Sequence, residues 1–471
     1  MDYSKLAFKS GIEIHQQLET HKLFCDCPSQ LRDDPHDISI KRKLRPVPGE
    51  EGEIDIAAEY ETKKDIEFTY EGYSNSNCAV EFDEEPPHNV NSEALDIVLQ
   101  ICKLLNCTII DEIQVMRKTV VDGSNTSGFQ RTMLVGFNGY LGTSYGKVGI
   151  DSVCLEEDSA RRVGRILTTK GDKEKSKVYR LDRLGIPLVE IATMPDIKNP
   201  EHCKETAEKL GMILRSTGKV KRGLGTIRQD VNVSIKNGAR VEIKGFQDIK
   251  TMPKIVENEV KRQQKVKVKE EVRGANPDGT TTFMRPMPGA ARMYPETDVK
   301  PVLITPKRLV GIKVAELIDD KILRYEKLGL NSELARNLIK EGFNLEDYKY
   351  NLDNKLITNV LVEIPKDVKK RHKIDYKFKD VEFRLILEAL EQNKITRDSI
   401  ENIFVDIAKG KDINLEEYSP VDSLKLEKEI EKIVKQNKSL AMGALMGIVM
   451  KKFGGKVDGK LAAQLVAKYT K

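Results

Sequence analysis

The period of the apolar residues changes near residue 300, and that change constrains the fold more than any other feature of the chain. Before it, short runs alternate apolar and polar side chains, as in Val231-Asn232-Val233-Ser234-Ile235 and Arg240-Val241-Glu242-Ile243. A period of two is that of a half-buried strand. Asn237-Gly238 lies between the two runs and predicts a hairpin turn. Lone helices interrupt the strands. Residues 92–105 place Ala94, Leu95, Val98, Ile101, Leu104 and Leu105 on one face, with Ser92 as the expected N-cap. Residues 200–214, opened by Pro200, repeat that logic. Strands with isolated helices predict an α+β domain on a mixed or antiparallel sheet, not an alternating βαβ domain.

After residue 300 apolar residues recur at helical spacing in 307–318, 332–340, 378–393, 397–408 and 422–436, and no strand pair is expected there. The expected organisation is therefore an α+β domain over 1–300, an all-α domain over 301–400 and a small α-helical tail over 401–471. A chain of 471 residues exceeds one ordinary domain. Its apolar fraction of 39% is enough for a sizeable core, which excludes wholesale disorder.

The net charge is only +5, so any nucleic-acid surface must be local. The tail is where it would lie. From Leu424 onward there are 11 Lys against four acidic residues. The apolar run 440–450, rich in Gly, Ala and Met, is followed there by Lys451-Lys452 and Lys456. Clustered cations attract phosphate without regard to base sequence. The opening MDYSKLAFKSGIEIH has no apolar targeting core, and no run approaches the length of a membrane span. With an odd count of seven cysteines, the expectation is a reduced cytoplasmic protein without a disulfide framework.

The chain has no Gly-rich phosphate loop of the GxxxxGK[ST] type, so a nucleotide site must be built from side chains and metal. Glu13 and His15, two apart on a strand, project from one face, and that pair can ligate a divalent cation. Glu156-Glu157-Asp158 is an acidic cluster of the kind Mg²⁺ uses. Glu190 interrupts the apolar run Ile186-Pro187-Leu188-Val189-Glu190-Ile191-Ala192, where a carboxylate is costly unless paired or metal-bound. Cys25, Cys27 and Cys78 offer three thiols for a zinc site that His21 or His88 would complete.

Five stretches carry a resemblance: GIEIHQQLETHKLFCDCPS, EFDEEPPHNVN, RLGIPLVEIATMPDI, GTIRQDVNVSI with RVEIKGFQDI, and RPMPGAARMYPETDV. Together with the C-terminal SLAMGALMGIVMKKFGGKVDGKLAAQLV, they resemble GatE of the archaeal glutamyl-tRNA(Gln) amidotransferase, whose bacterial paralogue is GatB. The resemblance spans nearly the whole chain. It implies a cradle domain, a helical domain and a tRNA-binding tail. It implies an enzyme that uses ATP and Mg²⁺ to phosphorylate the γ-carboxylate of the Glu on tRNA. Ammonia from a partner asparaginase-like subunit, GatD, then displaces phosphate, in an assembly of two GatD and two GatE.

By the same resemblance His15, Glu157, Glu190 and Lys118 carry the chemistry. Glu13, His15, Glu157 and Glu190 hold metal; Lys118, Arg228 and Lys244, each a cation in or beside a strand-like run, are the candidates to neutralise ATP phosphates. Arg285, Arg292 and Glu296 shape the substrate pocket, and Lys451, Lys452 and Lys456 contact tRNA. Two alternatives remain: a GatB-like subunit working with a GatA-type amidase, and an inactive tRNA-binding module. The chain departs from the resemblance in one place. GatE usually carries an aspartyl-tRNA-synthetase-like insertion between the segments that here read Arg273-Gly274-Ala275 and Thr280-Thr281-Thr282; only Asn276-Pro277-Asp278-Gly279 joins them. That is good turn chemistry.

Overall fold

The computed structural model describes all residues except 49–51, 168–173, 247, 288–292, 422, 438–439, 454–455, 458 and 471. The chain divides into two compact units, Met1–Leu317 and Ile318–Lys471.

The first unit is built on a sheet of eleven strands among the described residues. In chain order they are β1 (Lys9–Gln17), β2 (Thr108–Ile109), β3 (Val115–Thr119), β4 (Phe129–Thr143), β5 (Gly146–Glu157) and β6 (Pro187–Thr193). They continue as β7 (Ile227–Ser234), β8 (Val241–Lys244), β9 (Glu271–Ala275), β10 (Thr281–Pro286) and β11 (Met293–Pro295). The order across the sheet is β10-β9-β8-β7-β1-β6-β5-β4-β3-β11, with β2 pairing β4. Every pair is antiparallel except β8 with β9. That parallel pair needs a crossover, which the helix α3 (Met252–Lys265) supplies.

Alternation along the strands sorts the sheet into two faces. Ile12, Ile14, Val153, Leu155, Val189, Ile191, Val231 and Val233 are fully buried. They form one core with α1 (Ser92–Leu104), α2 (Pro200–Ser216) and α3. The intervening positions of the same strands carry Glu13, His15, Glu156, Glu190, Arg228 and Asp230. One face thus makes the core and the other is free to hold a site. The three long helices pack on the core face, the α+β arrangement the periodicity predicts, while the short helix Ile56–Thr62 borders the cavity.

Several local expectations are met. Asn237 takes a positive φ of 65° in the turn between β7 and β8. The junction 276–279 closes as a tight hairpin: the Asn276 N–H donates to the Thr280 carbonyl at 2.9 Å, and Gly279 takes φ 92°. Others are corrected. The N-cap of α1 is Asn91, not Ser92; the Asn91 side chain accepts from Ala94 N at 3.0 Å. The helix expected over 307–318 runs only Pro306–Gly311. Its end is held by α1, where Lys103 Nζ donates to the carbonyls of Leu309 and Ile312 (3.1 Å to the latter).

One short strand pair does involve residues past 300: Val302–Leu303 pairs with Glu112–Ile113. Together with Arg308 on Asp96, these contacts carry the first unit beyond 300 to Leu317.

The second unit is helical and has two apolar cores. The first gathers residues from Ile322 to Ile407, with Leu415 and Tyr418 packed against it. The second joins helices Ser423–Gln436, Met442–Phe453 and Gly459–Thr470 through Leu426, Ile430, Leu445, Val449, Ala462 and Val466. The helix Ile400–Ala408 therefore belongs to the first core, and the tail's own core begins near residue 421.

Candidate functional site

The polar face of the sheet forms the floor of a cavity of about 950 Å³. At its centre, His15 and Glu190 are cross-strand partners on β1 and β6. His15 Nε2 lies 3.1 Å from Glu190 Oε2, 3.3 Å from Glu13 Oε1 and 3.8 Å from Glu156 Oε1. Ligand atoms of Glu13, His15 and Glu190 all fall within 4.8 Å of one another. Lys118, reaching in from β3, donates to Glu156 Oε2 at 2.7 Å and to Glu190 Oε2 at 3.4 Å. Gln130 donates to Glu156 Oε1 at 2.9 Å. Around this centre, Arg228 pairs with Asp158 at 2.9 Å and Lys244 with Asp230 at 2.6 Å and with Glu242.

Burial and the neighbouring charges together set the protonation states. Burial first, then the charge of Glu190, pushes Glu13 up to about 7. Burial works against a charged His15. The hydrogen bond to Glu190 and the charges of Glu190, Glu13 and Glu156 outweigh it and raise His15 to about 9. Burial also opposes ionisation of Glu190, but Lys118 and His15 hold its carboxyl well below the usual range. Two carboxylates and an imidazole converging in a roomy, wettable cavity fit a divalent cation that keeps positions for water and phosphate oxygens.

The structure does not bring Glu157 into this group. Glu157 shares the core-side parity of Val153 and Leu155. It accepts from the Arg131 backbone N–H at 2.9 Å and pairs with the Arg131 guanidinium at 3.5 Å. It lines a separate small polar pocket with Lys22, Cys25 and Glu81. The carboxylate facing His15 is its neighbour Glu156. The acidic cluster 156–158 points to Mg²⁺ without separating its members, and the resemblance selects Glu157. A signal for Glu156 is nevertheless in the sequence: with Val153 and Leu155 in the core, a period of two sends Glu156 the other way. Gln130, Asp230 and Glu242 carry no motif of their own, and sequence reasoning missed them.

The remaining candidates separate. Lys118, Arg228 and Lys244 line the cavity, as does Arg285. Glu296 does not; it is buried between Arg131 (2.8 Å) and Arg117. Arg292 lies outside the described residues. Cys25, Cys27 and Cys78 converge, but the fourth group is Glu81 rather than either histidine, with all four ligand atoms within 4.8 Å. The ring of His21 instead bonds the Cys25 carbonyl, and His88 faces Glu85. In the tail Lys451, Lys452 and Lys456 are all exposed, with Lys452 ion-paired to Glu429.

Residues 8–310 match the family model described as the GatB/GatE catalytic domain, and residues 344–469 match the GatB domain model. The chain belongs to the GatB/GatE family. Its relatives include the protein of Methanocaldococcus jannaschii named as the E-type subunit of glutamyl-tRNA(Gln) amidotransferase, 36% identical over 100% of this chain and 99% of the relative. The proteins of Archaeoglobus fulgidus and Methanosarcina barkeri bear the same name. They are 36% and 35% identical, over 100% and 99% of this chain and 99% and 98% of their own lengths. The alignment with the M. jannaschii protein spans 634 positions against 471 residues here, a difference of 163 positions without a counterpart in this GatB/GatE chain. No helix among the described residues is long and apolar enough to cross a membrane.

Proposed function

We propose that this chain is the ATP-using, tRNA-binding subunit of a glutamyl-tRNA(Gln) amidotransferase, converting Glu-tRNA(Gln) to Gln-tRNA(Gln). The observation that carries the reading is the convergence of Glu13, His15 and Glu190 beside Lys118 in a large polar cavity, within a family whose relatives bear that enzyme's name. The first unit acts as the cradle that holds the chemistry, the helices after it as a helical domain, and the last three helices as the tRNA-binding tail. Ammonia comes from an asparaginase-like partner of the GatD type, in an assembly of two copies of each subunit.

A carboxylate is a poor electrophile, and phosphorylation gives it a leaving group. The γ-carboxylate oxygen attacks the terminal phosphorus of ATP and ADP departs; ammonia then attacks the acyl carbon and phosphate departs. Such transfer needs positioning and charge neutralisation more than covalent help. Glu13, His15 and Glu190 would hold a divalent cation, Mg²⁺ in this reading, and Glu156 would support them in place of Glu157. That cation supplies charge neutralisation to the transferred phosphoryl group. Lys118 fixes Glu156 and Glu190 in place. Arg228 and Lys244 flank the floor and offset the charge of the polyphosphate.

The test is γ-phosphate transfer from labelled ATP in the presence of the GatD-type partner, Mg²⁺ and Glu-tRNA(Gln), with His15→Ala alongside. Transfer that requires charged tRNA and is lost in the variant supports the reading. Mn²⁺ binding followed by electron paramagnetic resonance should weaken in the same variant. A chain that binds tRNA yet transfers no phosphate would instead be an inactive tRNA-binding module.

A further inference from the structure

The cavity wall is rich in acid. Nine carboxylates line it against His15 and four Lys or Arg side chains, Lys118, Arg228, Lys244 and Arg285. All but one of these are already matched: His15 by Glu190 and Glu13, Lys118 by Glu156 and Glu190, Arg228 by Asp158, and Lys244 by Asp230 and Glu242. Among the described residues Arg285 has no carboxylate against it. A half-buried guanidinium in so acidic a wall, paired among the described residues with none of its carboxylates, is positioned for an anion that arrives from outside.

Backbone geometry supplies an independent reason. β9 and β10 pair in register at Arg273 with Phe283, then slip by one residue, so that Val272 faces Arg285. Met284 is the extra residue of a β-bulge. Val272 is the cross-strand partner of Glu242, which lines the cavity. Paired residues point to the same face, so Arg285 is turned toward the cavity. Without the bulge Met284 would face Val272, and Arg285 would point to the opposite face. The slip thus costs one ladder position and delivers to the site a guanidinium that no described carboxylate pairs with.

We propose that Arg285 binds a phosphate group of the substrate, its planar fork engaging two oxygens of one phosphate. The proposal rests on the reading of this cavity as the phosphoryl-transfer site. The phosphate belongs either to the ATP polyphosphate or to a phosphodiester at the tRNA acceptor end.

Equilibrium binding of ATP with Mg²⁺, and of Glu-tRNA(Gln), is to be measured on the full chain for wild type, Arg285→Ala and Arg285→Lys. Melting temperature reports folding, and because no described carboxylate pairs with Arg285 an unchanged value is the expectation. If the phosphate is that of ATP, the alanine variant weakens ATP binding about tenfold and leaves tRNA binding and its salt slope alone. Lysine, which keeps the charge but not the fork, then restores part of the loss. If the phosphate is that of tRNA, ATP binding is unchanged and the slope of log affinity against log salt falls by about 1 in the alanine variant. Wild-type ATP and tRNA binding retained in full by both variants overturns the assignment. Wild type that binds no ATP overturns the reading of the cavity, and the proposal with it.

Discussion

Adjacent carboxylates on β5 give a direct residue-scale test. Glu156 faces Lys118 and His15 across the cavity floor, whereas Glu157 accepts from Arg131 on the core side. Glu156→Gln removes the charge that faces Lys118 at 2.7 Å and loosens the cluster, so phosphoryl transfer should fall roughly 100-fold, while Glu190 still pairs with Lys118 and stability should change little. Glu157→Gln should do the reverse. It should cost about 1–3 kcal/mol in denaturant unfolding and keep the transfer step. If Glu157→Gln abolished transfer in a fully stable protein, the assignment of the two side chains would be exchanged.

Glu296 belongs to the same scale and titrates where it can be watched. Burial opposes its charge, yet Arg117, the Asp298 N–H and Arg131 hold it down to about 2 from an ordinary 4.5. A depressed carboxyl contributes stability that is present above the ordinary value and is lost as pH falls from there through about 2. Wild type should therefore lose stability across that window more steeply than Glu296→Gln. At neutral pH the variant should be weaker by roughly 3 kcal/mol, because two guanidinium groups lose their buried partner. Equal acid limbs in the two proteins would refute this role.

At the scale of elements, α1 shows what a cap contributes. Asn91 accepts from Ala94 N, and its amide donates to Thr20 Oγ1 at 3.1 Å and to the His21 carbonyl at 3.0 Å. Asn91→Ala should cost about 2 kcal/mol, the upper end for an N-cap, and Ser92→Ala only a few tenths. Urea unfolding of the two variants would rank them. The same helix shows what was legible in the chain. Its apolar face was readable from spacing alone, as were the strands β7 and β8 and the turn at Asn237. The cap was not, since Asn91 and Ser92 both suit the position and a long-range contact to 20–21 decides between them.

Likewise the helix over 307–318 has the right spacing but stops at Gly311, where Lys103 binds the carbonyls of Leu309 and Ile312. The site divides in the same way. His15, Glu13 and Glu190 could be found from one strand at a time. Glu156 needed strict parity along β5. The aim of Arg285 depends on a bulge that only the pairing of two strands reveals.

For the whole molecule, charge is distributed against the average. The chain carries +5, but residues 424–471 hold 11 Lys and four acidic groups, a local +7, leaving the rest at −2. If the cavity takes ATP, its acid lining needs a cation to accept it, whereas a basic tail suits a polyanion; the two charges stand on separate units. Within the tail the three lysines are not equivalent. Lys452 already pairs with Glu429, whereas Lys451 and Lys456 are exposed and no described carboxylate pairs with either.

If the tail grips tRNA through phosphates, Lys451→Ala with Lys456→Ala should lower the slope of log affinity against log salt by about 1.5–2. Lys452→Ala should lower it by less, because Lys452 must first leave Glu429, and Glu429→Gln should tighten binding by freeing it. Filter binding of Glu-tRNA(Gln) over a salt series would read all four changes. A slope unchanged in the double variant would take the tail out of the tRNA interface. It would leave the acid-lined unit, with Arg285 its one unmatched cation among the described lining residues, to account for tRNA binding by other means.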